Sequence, residues 1–500
     1  MRDFEYMRVA AAVPVIKVAN PMFNVKEIVS MVKTAYENKK ASVVLFPELC
    51  ITGYTCGDLF NQSALIKGAE EALGALIEQT KNINILIAVG MPVKADNQLF
   101  NCAILLLKGK VLGAVPKTFI PNYNEFYEKR WFASSVSRIS DKVNLCGQEV
   151  PFNENLLFRD SKSTLCIGFD ICEDLWVNIP PSSYHTMFGA NLILNLSASN
   201  EIIGKTDYRK DIVKLQSAKC IAAYAFSSAG QTESTTDLVF SGHSLIAENG
   251  VIINENRFPE NSSCICGDID LEKLANDRIK LNTYMGRLAT INYQYVNFEL
   301  GFSDNEDLER EIDPMPFVPS DLEERNKRCR EILNIQSTGL HQRMNKIGAK
   351  KAIVGISGGL DSTLALLVTV EAFKKLQLPV SNIVAVTMPG FGTTSRTYNN
   401  AITLMKELGV TTREISIKDA VTQHFKDISH EMDVHDVTYE NSQARERTQI
   451  LMDIANQEDG IVVGTGDLSE LALGWATYNG DHMSMYGVNS GIPKTLVRYL

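Results

Sequence analysis

The hydrophobic and polar positions of this chain follow two different rhythms. Up to about residue 300, short apolar runs alternate with helical or loop segments. The runs predict strands at 42–46, 83–89, 102–107, 165–171, 192–196, 243–247 and 264–269. Asn-Gly and other turn signals separate several of the later runs. This first half is therefore expected to be a strand-rich α/β layer structure.

Beyond residue 322, strand and helix patterns alternate regularly. Strands are predicted at 352–356, 382–388, 413–417 and 460–464, and helices at 363–376, 395–408, 419–428 and 440–457. Such alternation is typical of a parallel, doubly wound sheet. In sheets of this kind the ligand binds at the carboxyl ends of the strands.

An acidic, proline-containing stretch lies between the two halves. Residues 304–313 carry six acids against one arginine, and three prolines follow by residue 319. Charge repulsion and proline stiffness favour a solvated connector. We therefore predict an N-terminal domain over residues 1–290, a linker over 291–322 and a C-terminal domain over 323–500.

Bulk properties narrow the class of protein. The chain of 500 residues is 45% hydrophobic, which is enough to bury substantial cores. Its formal net charge of −10 disfavours a nucleic-acid partner, because phosphate contacts need clustered lysine and arginine. No apolar run approaches the roughly 20 residues that span a bilayer, and the first residues lack a signal-peptide pattern. We expect a cytoplasmic protein without a membrane partner that acts on small molecules.

The ten cysteines form no paired CxxC motifs, and none follows Cys329. This spacing argues against a zinc site or a disulfide framework. One or more reduced thiols are therefore free for chemistry, and a thiol of this kind can serve as a nucleophile.

A glycine-rich stretch, GISGGLDSTL at 355–364, lies between a predicted strand and a predicted helix. In this arrangement backbone N–H groups and the helix dipole converge on phosphate. Ser357 and Ser362 can donate hydroxyl hydrogen bonds, and Asp361 offers a carboxylate to a magnesium ion that bridges phosphate oxygens. The alternative is a tight turn without a ligand, but two glycines and an Asp-Ser pair exceed what a turn requires. The SGGxDS pattern resembles the pyrophosphatase loop of enzymes that split ATP into AMP and pyrophosphate.

Three motifs in the first half each place one reactive side chain at the end of an apolar run. They are FPELCITGY at 46–54, GAVPKTFIPNY at 113–123 and GFDICEDLW at 168–176, with Glu48, Lys117 and Cys172 as the reactive residues. A thiol nucleophile needs a base, and the attacked carbonyl needs a positive group for its oxyanion. Glu48 can take the thiol proton, and Lys117 can stabilise the oxyanion.

Each of these residues also has a structural interpretation. Glu48 could cap a strand, Lys117 could be a solvated surface residue, and Cys172 could be a small core residue. No local pattern pairs a histidine with the cysteine. His185 and His243 are the nearest histidines in context, and we interpret both as structural.

Taken together and in this order, the three motifs resemble those of the nitrilase superfamily over roughly residues 7 to 290. The resemblance implies an αββα sandwich and hydrolysis of an amide or nitrile through a Glu-Lys-Cys triad, with Cys172 as the nucleophile. In that family a second glutamate follows the lysine and positions the substrate. Glu128 is the candidate for it here, and Glu125 is a weaker one.

A domain that frees ammonia from an amide, fused to one that activates a carboxylate with ATP, resembles the family of glutamine-dependent NAD synthetases. This resemblance implies that Tyr123 and Ser199 bind glutamine. A family arginine with the same task falls on Lys205, which keeps the charge but loses the bidentate grip on a carboxylate.

The same resemblance assigns residues of the C-terminal half to ATP, deamido-NAD and magnesium. Those implied for ATP are Gly355, Ile356, Ser357, Gly358, Gly359, Leu360, Asp361, Ser362 and Thr465. Those implied for deamido-NAD are Asn441, Glu470, Trp475, Ala476, Thr477, Tyr478 and Asp481, and the magnesium ligands are Asp361 and Glu470. Alternatively, Glu470 could face solvent on a helix, and Asn441 could be a helix N-cap.

The reaction implied for this family converts deamido-NAD to NAD, with ammonia from glutamine and with ATP split to AMP and diphosphate. A homo-oligomer is also implied. Residues 495–500 look like the opening of another helix, and family members continue past this point. We therefore expect an incomplete C-terminal domain, with glutaminase activity retained and weak or no synthetase activity.

Two other classes remain open. One is a stand-alone amidase or nitrilase-type hydrolase with a non-catalytic ATP-binding module. The other is a catalytically silent assembly subunit, in which the thiol and the glycine-rich loop are relics. Labelling of Cys172 by an electrophile that mimics glutamine would exclude the second, and release of AMP coupled to amide formation would exclude the first.

Overall fold

The computed structural model of the protein describes residues 5–284, 291–300 and 307–500. By its internal contacts the chain forms two units, Met1–Glu311 and Ile312–Leu500. No helix in the described ranges combines the length and the apolarity that crossing a membrane requires.

The strands of the first unit are β1 (Tyr6–Val13), β2 (Val43–Leu45), β3 (Leu86–Ala95), β4 (Gln98–Leu107), β5 (Lys110–Pro116), β6 (Lys142–Leu145), β7 (Gln148–Pro151), β8 (Leu156–Asp160), β9 (Cys166–Ile171), β10 (Leu192–Ser197), β11 (Ala223–Ser228), β12 (Ser244–Glu248), β13 (Val251–Asn256), β14 (Ser263–Asp270) and β15 (Gln294–Phe298). Its helices are α1 (Pro21–Glu37), α2 (Ser63–Thr80), α3 (Pro181–Met187), α4 (Lys205–Cys220) and α5 (Leu271–Lys280).

Two sheets pack face to face in the first unit. One has the strand order β14-β1-β2-β3-β4-β5, and the other has the order β13-β12-β11-β10-β9-β8-β15. Alternate residues of their strands, such as Val9 and Ala11 of β1 and Leu192 and Leu194 of β10, are buried in the core between the sheets. Helices α1 and α2 cover the outer face of the first sheet, and α3 and α4 cover that of the second. The αββα sandwich expected from the sequence is confirmed.

Helix α1 shows how local sequence sets these layers. Asn20 caps the helix by accepting a hydrogen bond from the N–H of Phe23 at 3.2 Å, and Pro21 occupies the first turn. Its buried residues recur three and four positions apart, as Val25, Ile28, Val29 and Val32. One apolar face therefore packs on the sheet while the other faces water.

His185 lies buried against β9. Its Nε2 faces the carbonyl oxygen of Phe169 at 2.9 Å, and its Nδ1 faces the hydroxyl of Tyr293 at 2.7 Å. Gly168 makes room for the ring, since a Cβ there would lie 3.0 Å from His185 Cβ. Burial lowers the pKa of His185 to about 4, and it does the same to the pKa of His243. Both rings are therefore neutral at neutral pH and have structural contacts.

We predict that acid destabilises the first unit partly through His185. The unfolded chain takes up this proton near pH 6.5 and the buried ring only near pH 4, so stability falls as the pH drops through that window. Between pH 7 and pH 5 this group should cost about 2 kcal/mol of unfolding free energy. A His185→Asn variant, which does not titrate there, should lose correspondingly less in urea unfolding at the two pH values. Equal losses in both proteins would contradict this prediction.

The stretch predicted as a solvated linker makes ordered contacts in its described parts. Gln294–Phe298 forms β15 and pairs in parallel with β8. Further on, Arg310 donates two hydrogen bonds of 2.7 and 2.8 Å to Glu248, and its backbone N–H donates to Asp268. Residues 304–306 of the acidic run, and residue 290 at the predicted domain end, lie outside the described residues. Composition alone did not reveal these pairings, because each partner is distant in sequence.

The second unit is built on a parallel sheet. Its strands are β16 (Ala352–Gly355), β17 (Ile383–Thr387), β18 (Thr411–Glu414), β19 (Ile461–Gly464) and β20 (Tyr486–Gly487). Its helices are α6 (Leu322–Ile347), α7 (Leu360–Leu376), α8 (Ser395–Glu407), α9 (Lys418–Asp427), α10 (Val437–Gln457), α11 (Leu468–Leu473) and α12 (Lys494–Val497). The order is β18-β17-β16-β19-β20, and every pairing is parallel.

Helices cover both faces of this sheet. Helices α6, α7 and α8 contribute to the core on one face, and α9 and α10 contribute to the core on the other. The doubly wound parallel sheet expected from the sequence is thus confirmed. The strand order reverses between β16 and β19, so the loops that follow these two strands lie side by side at the carboxyl edge.

One predicted strand has different bounds. The run at 413–417 was expected to be a strand, but β18 ends at Glu414. Ile417 is buried in the core beside Val421 and Phe425 of α9. Its apolar character therefore comes from packing at the start of a helix and not from a longer strand.

Candidate active site

Glu48 lies in the loop that follows β2, and this loop lies directly against β3. The N–H of Phe46 donates to the carbonyl of Ala88 at 2.9 Å. A Cβ on Gly90 would lie 2.3 Å from the nitrogen of Leu49 and 2.9 Å from Cα of Glu48, so only glycine allows this approach. The glutamate side chain is fully buried as a result.

Lys117 joins two buried carboxylates. Its Nζ lies 2.7 Å from Oε1 of Glu48 and 2.8 Å from each carboxylate oxygen of Glu128. All three side chains are at most 1% exposed. Burial opposes the lysine charge, but the two glutamates outweigh it and raise the pKa of Lys117. The ammonium is therefore firmly charged, as an oxyanion partner must be.

Two residues that the sequence did not single out hold the carboxylates in place. Asn101 donates a 2.6 Å hydrogen bond to Oε1 of Glu48, and the hydroxyl of Tyr54 donates a 2.9 Å hydrogen bond to Oε1 of Glu128. Tyr54 ends the same FPELCITGY motif that carries Glu48. Its place in that motif was the one sequence signal that could have identified Tyr54. No sequence signal pointed to Asn101.

Cys172 opens a short 3-10 turn, Cys172–Leu175, directly after β9. Its φ of 47° lies in the left-handed region, which is uncommon for a residue with a side chain. Asp174 stabilises the turn, because its carboxylate accepts hydrogen bonds from the N–H groups of Ile171 at 3.0 Å and Phe119 at 2.9 Å. The second donor lies two residues after the lysine, so this carboxylate joins the cysteine turn to the lysine segment.

The electrostatic setting of Cys172 favours the thiol over the thiolate. Burial raises its pKa, and the charge of Glu48 adds to the rise while Lys117 opposes it. Oε2 of Glu48 is buried and has no hydrogen-bond partner in the described residues. Attack by the sulfur must therefore be coupled to proton transfer, and this carboxylate oxygen is available as the acceptor. Burial also raises the pKa of Glu128, to about 7.

A pocket of about 360 Å³, here called the thiol pocket, opens at Cys172. Its lining residues are Pro121, Tyr123, Asn124, Glu125, Phe126, Cys172, Glu173, Trp176, Ser199, Ile202, Ile203, Gly204, Lys205 and Tyr208. The three residues predicted to bind glutamine, Tyr123, Ser199 and Lys205, are therefore brought to the same pocket as the nucleophile. Glu125 also lines it, whereas Glu128, the candidate second glutamate, is not among the lining residues and instead contacts Lys117.

The glycine-rich loop of the second unit joins β16 to α7. Ser362 Oγ donates to the carbonyl of Gly359 at 3.0 Å and lies 3.2 Å from Ser357 Oγ. Asn489 is fully buried, and its Nδ2 donates to the carbonyl of Asp361 at 2.9 Å and to that of Thr465 at 3.2 Å. Asn489 thus ties the loop after β16 to the loop after β19, which the sequence did not indicate.

We predict that Gly358→Ala weakens ATP binding by roughly 10-fold or more. Gly358 has a φ of 80°, and a Cβ there would lie 2.0 Å from the carbonyl oxygen of Thr397, so the loop would have to shift. The matched control is Gly491→Ala, in the same unit but outside this loop, whose Cβ would meet nothing within 4 Å. Calorimetric titration with ATP measures both variants. A weaker affinity in the control than in Gly358→Ala would contradict the prediction.

Three carboxylates converge beside this loop. Oxygens of Asp361, Asp467 and Glu470 lie within 4.8 Å of one another. Lys494 pairs with all three, at 2.9, 2.7 and 3.2 Å respectively. The two predicted magnesium ligands, Asp361 and Glu470, are thus brought together. Asp467 and Lys494 were not predicted, because the segment around Lys494 indicated only a helix start.

The residues predicted for deamido-NAD also share one region of the second unit. Thr477 Oγ1 donates to Oδ1 of Asn441 at 2.8 Å, and the N–H of Thr477 donates to Asp481 at 2.9 Å. Asn441 lies inside α10, which Asp436 caps, so the N-cap alternative does not hold. Trp475 and Tyr478 are 81% and 75% exposed, and their role in binding the dinucleotide stays a prediction. Ala476 is exposed beside them.

Comparison with known proteins covers both units. The Carbon-nitrogen hydrolase family model matches residues 8–279, and the NAD synthase model matches residues 332–500. The glutamine-dependent NAD(+) synthetase of Mycobacterium tuberculosis is 39% identical over 508 aligned residues, covering 99% of this chain and 74% of the relative. That of Thermotoga maritima is 29% identical, covering 94% and 76%. A solved glutamine-dependent NAD+ synthetase from Acinetobacter baumannii, in complex with ADP, aligns with a TM-score of 0.45 at 23% identity, covering 99% of this chain and 81% of that one.

A carbon-nitrogen hydrolase domain and an NAD synthase domain in one polypeptide define the class of this chain, a two-domain enzyme that joins a hydrolase to a synthase. The long alignments then specify which one. The chain belongs to the family of glutamine-dependent NAD(+) synthetases. The family resemblance drawn from the motifs is confirmed, and these relatives are enzymes.

Proposed function

We propose that this protein is a carbon–nitrogen ligase that takes ammonia from glutamine and uses it to convert deamido-NAD to NAD, with ATP split to AMP and diphosphate. The observation that carries this is the buried cluster of Glu48, Lys117 and Glu128 beside Cys172, present in the same chain as the glycine-rich loop. A stand-alone amidase has no need of the second unit's phosphate loop.

The first half-reaction begins at the Cys172 thiol. As the sulfur attacks the glutamine amide carbon, the thiol proton passes to Oε2 of Glu48, and the oxyanion forms beside Lys117. Collapse breaks the carbon–nitrogen bond, and Glu48 returns the proton so that ammonia leaves. Water then attacks the glutamyl thioester, which releases glutamate and restores the thiol. Glu128 keeps Lys117 in position throughout.

The second half-reaction takes place at the edge of the parallel sheet. The backbone N–H groups of residues 357–360, the two serine hydroxyls and the start of α7 bind the phosphates of ATP. The nicotinate carboxylate attacks the α-phosphate, and the bond to pyrophosphate breaks. Ammonia then attacks the adenylated carboxyl carbon and AMP leaves. Asn441, Thr477 and Asp481 are proposed to hold the dinucleotide.

The residues for magnesium fit the ion. Asp361, Asp467 and Glu470 offer only oxygen ligands, and Asp361 Oδ1 has no hydrogen-bond partner in the described residues. A magnesium ion bound by them would neutralise charge on the leaving pyrophosphate. Cytoplasmic localisation and a homo-oligomer remain predictions from the sequence and the family resemblance.

The test uses glutamine labelled with ¹⁵N in its amide, together with ATP, magnesium chloride and deamido-NAD. We expect glutamate, AMP, diphosphate and NAD that carries ¹⁵N in its carboxamide, detected by mass spectrometry. Release of AMP coupled to formation of the carboxamide would exclude the stand-alone amidase. Absence of both glutamate and labelled NAD would refute the proposal. Glutamate reports the first half-reaction and AMP reports the second, so the assay measures the two half-reactions separately.

A further inference from the structure

A fully buried acid that the reaction steps above do not use lies behind the segment that carries Glu48. Glu233 ends the 3-10 turn Gln231–Glu233, and its side chain is 0% exposed. Its Oε2 accepts a hydrogen bond from the backbone N–H of Tyr54, and its Oε1 has no hydrogen-bond partner in the described residues. Keeping an acid out of water with so few partners costs free energy, which the contacts of this acid must offset.

The segment from Glu48 to Tyr54 has a strained backbone. Leu49, directly after Glu48, has a φ of 52° in the left-handed region and a fully buried side chain. Such a conformation is unfavourable for a residue with a side chain, and it persists only where the surroundings hold it. At the first end of the segment, Gly90 lets β3 approach closely, and the N–H of Glu48 donates to the carbonyl of Ser197 at 3.2 Å. The other end needs a support of its own.

The turn that ends in Glu233 supports this other end. Besides the bond to the N–H of Tyr54, the carbonyl of Glu233 accepts a 3.1 Å hydrogen bond from the hydroxyl of Thr55. Gly53 permits the approach, because glycine readily adopts its φ of 90° and a Cβ there would lie 3.3 Å from Oε2 of Glu233. Thr232, in the same turn, accepts a 3.0 Å hydrogen bond from the backbone just after β1. The turn is thus anchored to the first sheet and bound to the segment.

A chain of contacts leads from Tyr54 to the oxyanion partner. The Tyr54 hydroxyl donates to Oε1 of Glu128 at 2.9 Å, and both carboxylate oxygens of Glu128 lie 2.8 Å from Nζ of Lys117. A small shift of the Tyr54 backbone would withdraw the hydroxyl and let the ammonium move away from the forming oxyanion. Glu233 is not among the residues that line the thiol pocket, so its effect on the reaction must pass through other residues.

We propose that Glu233 is a positioning residue for glutamine hydrolysis, which holds Tyr54 in place and through it the pair of Glu128 and Lys117. The inference rests on the proposed glutaminase reaction and adds a support outside the pocket. An acceptor oxygen, and not a negative charge, performs this task. Burial raises the pKa of Glu233 to about 8, and the like charge of Glu48 adds to the rise, so the group is largely a neutral acid at pH 7. Glutamine is then its isosteric replacement, with a carbonyl oxygen that can accept the same N–H.

The first test compares two variants in the release of glutamate from glutamine at pH 7. Glu233→Met keeps the length of the side chain and removes the acceptor, so kcat should fall by roughly 10- to 100-fold while KM changes little. Glu233→Gln keeps the acceptor, and its kcat should stay within about threefold of the wild-type value. Each rate is divided by the folded fraction that urea unfolding gives for the same sample. An unchanged kcat in Glu233→Met, a loss confined to KM, or an equal loss in Glu233→Gln would overturn the inference.

The matched control is Asp160→Leu. Asp160 is 2% exposed at the end of β8 and, like Glu233, accepts a hydrogen bond from a backbone N–H, that of Leu300 at 3.0 Å. Its replacement should lower stability and leave kcat within about threefold of the wild-type value. If this variant lost as much kcat as Glu233→Met, loss of any buried acid would have the same effect, and the assignment to Glu233 would be overturned.

A double variant tests the route through Tyr54. Tyr54→Phe removes the hydroxyl bond to Glu128 and should lower kcat by itself. Since Glu233 acts through that hydroxyl, adding Glu233→Met to Tyr54→Phe should lower kcat little further. An unaffected kcat in Tyr54→Phe, or two losses that multiply in the double variant, would contradict the inference.

The inference and the proposed function fail in different ways. If Glu233→Met does not fold, Glu233→Asp takes its place, because a side chain one methylene shorter draws the acceptor back from Tyr54. Its kcat should fall by roughly 10-fold, and an unchanged kcat would overturn the inference while leaving the proposed hydrolysis intact. Absence of glutamate release by the wild-type protein would instead refute the proposed function.

Discussion

Replacement of Cys172 by alanine should lower the rate of glutamine hydrolysis by roughly 10⁴-fold or more, because the glutamyl thioester can no longer form. Amidation supported by added ammonium should be unaffected relative to the unmodified chain, since the phosphate loop lies in the second unit. Glutamate release and AMP formation measure the two activities in the same sample.

The matched control is Cys166→Ala. This cysteine is 3% exposed and lies on β9, the strand that leads to Cys172, but it does not line the thiol pocket. Its loss should reduce stability slightly and leave glutamine hydrolysis within the same order of magnitude. A glutamine-mimicking electrophile should label Cys172 in this control, as read by peptide mass spectrometry. Full glutaminase activity in Cys172→Ala would contradict the proposed mechanism.

Replacement of Lys117 by methionine should both inactivate and destabilise the protein. The change removes the cation between Glu48 and Glu128 and leaves two buried carboxylates without a counter-charge. Breaking a buried ion pair in this way costs about 3–5 kcal/mol of unfolding free energy. Loss of the oxyanion partner should lower glutamine hydrolysis by roughly 10³-fold. Urea unfolding and glutamate release measure the two effects.

A triple variant separates the loss of activity from the loss of stability. Lys117→Met combined with Glu48→Gln and Glu128→Gln contains no buried charge in this cluster, so most of the lost stability should return. Activity should not return, because the base and the oxyanion partner are both absent. Recovery of glutamine hydrolysis in the triple variant would mean that Lys117 acts only through stability.

Much of this site could be predicted because its reactive residues lie in contiguous sequence motifs. Glu48, Lys117 and Cys172 each end an apolar run, and their types and order restrict the reaction. The residues that hold them could not be predicted in the same way. Asn101 meets Glu48 across 53 positions of sequence, and only the pairing of β3 with β4 brings it there.

The fold, like the site, could be predicted where nearby residues determine it and could not be predicted where residues distant in sequence pair. Helical periodicity predicted α8 and α10 nearly to their ends, because it reflects which face each helix buries. The strand β15 lies within the predicted linker over 291–322, ahead of the acids and prolines at 304–319 that favoured a solvated connector. Its partner β8 is more than 130 positions away, and no local pattern encodes that pairing.

Lys494 explains how the second unit can hold three acids close together before a ligand binds. Mutual repulsion of Asp361, Asp467 and Glu470 would push the loops after β16 and β19 apart. The lysine ammonium acts as a built-in counter-ion that keeps the carboxylates gathered. A divalent cation entering this site would have to compete with that ammonium, and the displaced lysine would be left beside the phosphate loop with its charge free for an anion.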